Sequence, residues 1–80
     1  MEVNVLLFGI TKDLVGKQMI KLQLSPPATV SDFKKILQDA YPALIELDSV
    51  AVAVNSEYAN DNHLINVNDE IALIPPVSGG

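Results

Sequence analysis

Two strongly apolar β segments of this chain lie close to its opposite ends. Val3-Asn4-Val5-Leu6-Leu7-Phe8 is one, and Ile71-Ala72-Leu73-Ile74 is the other. Apolar β runs with little alternation belong in the middle of a sheet, covered on both faces. Eighty residues make one small domain with one core. The two segments therefore pair as parallel neighbours in the centre of a single sheet, and the rest of the chain must fold around that pair.

Between them, Gly9 ends the first strand, and Thr11-Lys12-Asp13-Leu14-Val15-Gly16 reads as a short helical turn, capped by Thr11 and stopped by Gly16. Lys17 to Leu24 alternates, with Met19, Lys21 and Gln23 on one side and Ile20, Leu22 and Leu24 on the other. That period marks a half-buried second strand, hairpinned with the first. Ser25-Pro26-Pro27-Ala28 breaks the pattern. Thr29 then caps a helix whose apolar stripe is Val30, Phe33, Ile36, Leu37, Ala40 and Tyr41, and Pro42 ends it. Asp32 sits in its first turn, favourably placed at the positive end of the helix dipole. Phe33 and Tyr41 are read as core and rim residues.

A third strand runs from Ser49 to Val54, with a turn at Asn55-Ser56-Glu57 and a short return at Tyr58-Ala59. Leu64-Ile65 tucks back into the core, and Asn66 to Glu70 forms a turn before the last strand. Pro75-Pro76 cannot donate to a ladder, so pairing stops there. The order β, β, α, β, β, β predicts an α+β fold of β-grasp type: a mixed sheet of four to five strands with one main helix packed across it. The expected division is a domain over residues 1–75 and a flexible tail over 76–80.

Composition closes off several kinds of chemistry. Without cysteine the chain forms no disulfide and offers no thiol nucleophile, and His63 is its single histidine, so neither a histidine pair nor a metal cluster is expected. All five lysines lie at or before Lys35, and the remainder is acidic, within a net charge of −5. Such a surface repels nucleic acid and favours a partner with a basic docking face, or serves solubility alone. No apolar run is long enough to span a membrane, and the N-terminal stretch lacks the pattern of an export signal, so a cytoplasmic location is expected.

The chain finishes Pro75-Pro76-Val77-Ser78-Gly79-Gly80. Extended, the five residues after Pro75 reach roughly 17 Å, at about 3.3–3.6 Å each. The prolines stiffen the exit, and glycine keeps the tip slim enough for an enclosing site. Such an end is either a reactive terminus or a frayed one. Nothing in the sequence resembles a phosphate-binding loop or a catalytic pair that activates a carboxylate. If Gly80 reacts, a separate ATP-using enzyme activates it. An amine attacking the activated carbonyl makes the chain a protein tag, and a sulfur attacking it leaves a terminal thiocarboxylate.

The residues resemble a known family. Leu6-Leu7-Phe8-Gly9 with Lys12-Asp13-Leu14-Val15-Gly16, then Val52-Ala53-Val54-Asn55, then Asn68-Asp69-Glu70-Ile71-Ala72-Leu73-Ile74-Pro75-Pro76-Val77-Ser78-Gly79-Gly80 are similar to the MoaD family, the small sulfur-carrier subunits of molybdopterin synthase. The resemblance implies a ubiquitin-like β-grasp protein that binds no cofactor of its own. It implies that Gly80 is adenylated by an ATP-consuming, MoeB-like activating enzyme and converted to a thiocarboxylate. Residues Pro75, Pro76, Val77, Ser78 and Gly79 then carry Gly80 into the large catalytic subunit of a heterotetramer, where sulfur passes to cyclic pyranopterin monophosphate. Phe8 and Ile74 match interface positions; Phe8 reads equally as a core residue, and Ile74 replaces a more usual aromatic. Asn68 stands where the family usually has glycine, a swap compatible with positive φ. Sulfur carriers for thiamin thiazole synthesis, ubiquitin-like modifiers and an inert β-grasp binding module are the competing readings.

Overall fold

The structure, a computed structural model, describes residues 1–44 and 49–75. Its elements run β1 (Glu2–Leu7), α1 (Gly9–Val15), β2 (Met19–Gln23), β3 (Ala28–Thr29), α2 (Val30–Ala40), β4 (Ala51–Val54), β5 (Glu57–Tyr58), β6 (Leu64–Ile65) and β7 (Glu70–Ile74). Five strands form one mixed sheet in the order β2-β1-β7-β4-β5, and β3 pairs with β6 in a second, two-stranded sheet.

The expected parallel pair is present. β1 and β7 run side by side with Asn4 opposite Glu70 and Leu7 opposite Leu73. β2 returns antiparallel along β1, and β4 runs antiparallel along the other side of β7. Val3, Val5 and Leu7 from β1, Ile71 and Leu73 from β7, and Val52 and Val54 from β4 all point to the same face and are buried. Val30, Phe33 and Leu37 of α2 are fully buried within that same core cluster. Ile36 and Ala40 are exposed, so the buried stripe of α2 is narrower than the sequence pattern.

One expectation is corrected here. β1 and β7 are not covered on both faces. Their burial alternates, with Glu2, Asn4 and Glu70 exposed and Leu6, Ala72 and Ile74 only partly buried. The one long helix covers only one side of the sheet. The apolar residues on the other side blurred the period of two without being core.

Helix ends follow side-chain chemistry. The Thr29 hydroxyl accepts from the Asp32 N–H at 3.2 Å, and the Asp32 carboxylate accepts from the Thr29 N–H at 3.0 Å. This reciprocal cap satisfies donors that the first turn of a helix leaves free. The Asp61 and His63 carbonyls accept from the Ser31 and Val30 N–H groups, and Lys34 pairs with Asp61 at 2.9 Å, so the loop before β6 is tied onto the start of α2. Gly16 closes α1 in the left-handed region at φ 83°, donating its N–H to the Lys12 carbonyl. Thr11 is not the N-cap of α1 as expected; Phe8 holds that position, and Thr11 caps from the third helical position. It lies inside the helix, buried, and its hydroxyl donates to the Phe8 carbonyl at 2.6 Å while accepting from the Phe8 N–H at 3.2 Å.

Candidate functional site

The sheet face away from α2 carries a continuous apolar row. The registers place Met19 beside Leu6, Leu6 beside Ala72, Ala72 beside Ala53, and Ala53 beside Tyr58. One rung thus crosses all five strands with apolar or aromatic side chains. On the side toward Pro75, Ile74 lies opposite Ala51, and Phe8 follows directly after β1. On the other side the next rung is polar, with Lys21, Asn4 and Glu70 in register. The apolar patch therefore sits at the end of the sheet where the chain leaves β7 toward Gly80.

Phe8 is 50% exposed, Met19 46% and Tyr58 75%. A small domain gains nothing by exposing large side chains in one continuous patch, and such patches mark interaction sites. Phe8 belongs to this surface and not to the core, and Ile74 shares it. Together with Leu6, Ala53, Ser56, Tyr58, Glu70 and Ala72 they line an open depression of about 340 Å³.

Tyr58 was not singled out from the sequence. It is placed by the turn before it. Asn55 and Ser56 both have positive φ, 52° and 71°, as a two-residue hairpin turn requires. The Asn55 side chain donates to the Asp69 carboxylate at 2.8 Å and accepts from the Glu70 N–H at 3.0 Å. The Asp69 carboxylate also accepts from the Asn66 N–H at 2.7 Å. Asn55 thereby fixes the β4–β5 turn against the start of β7, and with it the position of Tyr58. Asn68 has φ 72°, the conformation its place in the turn before β7 called for.

Gly9 has φ +57°, and a Cβ there would meet Pro75 Cγ at 2.9 Å. The root of the C-terminal segment is thus packed against the glycine that opens α1. Pro76, Val77, Ser78, Gly79 and Gly80, the remaining tail positions read from the sequence, lie outside the described residues. Among the described residues no group of three metal-ligating side chains comes together, and no helix is long and apolar enough to cross a membrane.

This geometry defines a class: a ubiquitin-like β-grasp domain with an apolar sheet face beside the root of a Gly-Gly-ended segment. The chain belongs to the ThiS family, whose model matches residues 5–80. The molybdopterin synthase sulfur carrier subunit of Dictyostelium discoideum is 40% identical, covering 99% of this chain and 96% of that protein. Small archaeal modifier protein 1 of Haloferax volcanii is 32% identical, covering 92% of this chain and 95% of that one. A crystal structure of SAMP1 from that organism superposes with a TM-score of 0.90 at 30% identity over 100% of both chains. The complex of subunits 1 and 2 of molybdopterin-converting factor from Helicobacter pylori contains a chain that matches at 27% identity and a TM-score of 0.71, again over 100% of both.

Proposed function

We propose that this chain is the sulfur carrier subunit of a molybdopterin synthase, with Gly80 as the residue that bears the sulfur. A carboxylate oxygen of Gly80 attacks the α-phosphorus of ATP in a separate activating enzyme, and pyrophosphate leaves. A sulfur nucleophile then displaces AMP, and the terminal thiocarboxylate is formed. The large catalytic subunit takes the tail, and sulfur passes to cyclic pyranopterin monophosphate. Two carriers flanking a dimer of large subunits make the heterotetramer, and the chemistry belongs in the cytoplasm.

The observation that supports this most is positional. Among the described residues, the continuous apolar row on the sheet face away from α2 adjoins Pro75, where the chain sets out toward Gly80. A protein that docks on Phe8, Ile74 and Tyr58 receives the tail at its own surface, and docking energy from the sheet is available to hold the reacting end in place. The names of the relatives favour molybdopterin over thiamin as the destination of the sulfur.

The likeness to an archaeal modifier protein keeps a second reading open, attachment of Gly80 to lysine amines. Intact-mass analysis after co-expression with the host's activating and sulfur-donating enzymes separates the two. Exchange of one oxygen for sulfur at Gly80, with co-purification of the large synthase subunit, is the expected result. Lysine-linked conjugates without thiocarboxylate establish the modifier instead, and an unmodified mass in competent cells counts against both.

A further inference from the structure

The rung across the sheet is uneven. It runs Met19, Leu6, Ala72, Ala53, Tyr58, so two alanines lie side by side between larger neighbours. They make the low floor of the depression, and Phe8, Ile74 and Tyr58 stand around it. Glu70 lines the same hollow, two residues before Ala72 and on the same face. The Glu70 backbone is tied to Asn55, but among the described residues no hydrogen bond or ion pair reaches its carboxylate.

A purely apolar side chain filling this hollow would strip water from the Glu70 carboxylate and give nothing back, a cost of several kcal/mol for an unpaired buried charge. The occupant must carry a long alkyl stem for the alanine floor and a cationic donor for the carboxylate. Lysine and arginine both have stem and charge. The Tyr58 ring at the wall discriminates between them, because a planar guanidinium stacks on an aromatic face while forking to a carboxylate. Lys21, in the Glu70 rung but two strands away, pairs with Glu2 at 3.9 Å and not with Glu70, so the carboxylate is left to a cation from outside.

We infer that the depression formed by Ala53, Ala72, Tyr58 and Glu70 seats an arginine side chain of the large synthase subunit. The inference rests on that subunit covering this sheet face. Calorimetry with the full-length carrier and the purified large subunit, over a series of salt concentrations, tests it. Glu70→Gln is expected to weaken binding roughly tenfold and to flatten its salt dependence. Tyr58→Leu weakens binding at every salt concentration, and Tyr58→Phe binds like the parent. Glu57→Gln, on the same hairpin but outside the hollow, is the control for general loss of negative charge. Phenylglyoxal labelling of the large subunit, mapped by peptide mass, supplies an independent readout: the parent carrier shields one arginine, and the Glu70→Gln carrier leaves it reactive. Unchanged affinity and salt slope for Glu70→Gln, or shielding of no arginine, overturns the inference. Phe8→Asp separates this from the docking reading. If it abolishes binding while Glu70→Gln does nothing, the arginine is wrong and the face is right; if it binds normally, the face itself is wrong and the arginine falls with it.

Discussion

Gly9 and Pro75 are in contact across the chain's two ends, with no room for a side chain between them. A Cβ on Gly9 would lie 2.9 Å from Pro75 Cγ, and Gly9 also has φ +57°. A proline ring cannot swing aside as a long side chain does, because its Cγ is tied to the backbone. Relief must come from moving Pro75 itself, and Pro75 is the root of the segment that ends in Gly80.

Gly9→Ala therefore carries two separable penalties. The left-handed backbone costs alanine about 1–2 kcal/mol, and the collision adds overpacking strain of about 1–3 kcal/mol. Urea titration is expected to show a loss of roughly 2 kcal/mol or more. Adding Pro75→Ala to the same chain should restore the collision part and leave the backbone part. Sulfur transfer should follow the collision part. Equal losses in the single and double variants would show that the contact with Pro75 carries no weight.

The cap on α2 gives an acid-range prediction. Hydrogen bonding from the Thr29 backbone N–H, then from its side chain, and the nearby Lys35 charge hold the Asp32 carboxyl below the usual aspartate value. The folded state thus favours the ionised form. Its contribution to stability is full above the ordinary aspartate pKa and is lost as pH falls through the lowered value. Asp32→Asn should flatten that part of the stability profile and change little of its shape above it. Thr29→Ala removes the partner hydroxyl and is expected to cost about 1 kcal/mol at neutral pH. Urea midpoints at neutral pH and in the acid range check both.

Much of this fold was legible because the strongest signals are local. The alternation from Met19 to Leu24, the cap at Thr29, the stop at Gly16 and the turn at Asn68 each declare themselves within a few residues. The parallel pairing of β1 and β7 was legible from their shared apolar character. What stayed hidden was tertiary. Ala28–Thr29 and Leu64–Ile65 are too short to show a period, so the second sheet did not appear. Leu6 and Ala72 read as core because nothing local separates an apolar residue that is buried from one on the open face of the sheet. Tyr58 joins the apolar sheet face only through the Asn55 turn that aims it; a lone tyrosine after a polar turn carries no such message.

The core leaves little reserve. Phe33 and Leu37 are fully buried against the sheet. A domain of this size has a total stability on the order of 4–12 kcal/mol, and truncating a buried phenylalanine costs about 3–5 kcal/mol. Phe33→Ala is expected to move the thermal midpoint down steeply and leave a measurable unfolded fraction at the host's growth temperature. Leu37→Ala, at about 2–5 kcal/mol, should be milder. Circular dichroism melts decide the order. Near-parent melting of Phe33→Ala would mean that α2 is not the clamp on this sheet.

Gly80 is the opposite case, a residue whose removal should cost function alone. Among the described residues, every member of the buried core cluster lies between Val3 and Leu73. Deleting Gly80 is therefore expected to leave the urea midpoint of the domain unchanged within error. It should also leave binding to the large subunit largely intact, because Phe8, Tyr58 and Ile74 remain in place. Sulfur transfer should vanish, since the terminal carbonyl that is activated now lies one residue short of the reacting position, and misplacement on this scale removes the gain from orientation. Three measurements on one protein check this: a denaturation curve, a binding isotherm and a single-turnover sulfur transfer assay. A shortened chain that still transfers sulfur at the parent rate would show that the reacting atom is not on Gly80. A large fall in stability would show that the tail belongs to the folded unit and that the division at Pro75 is misplaced.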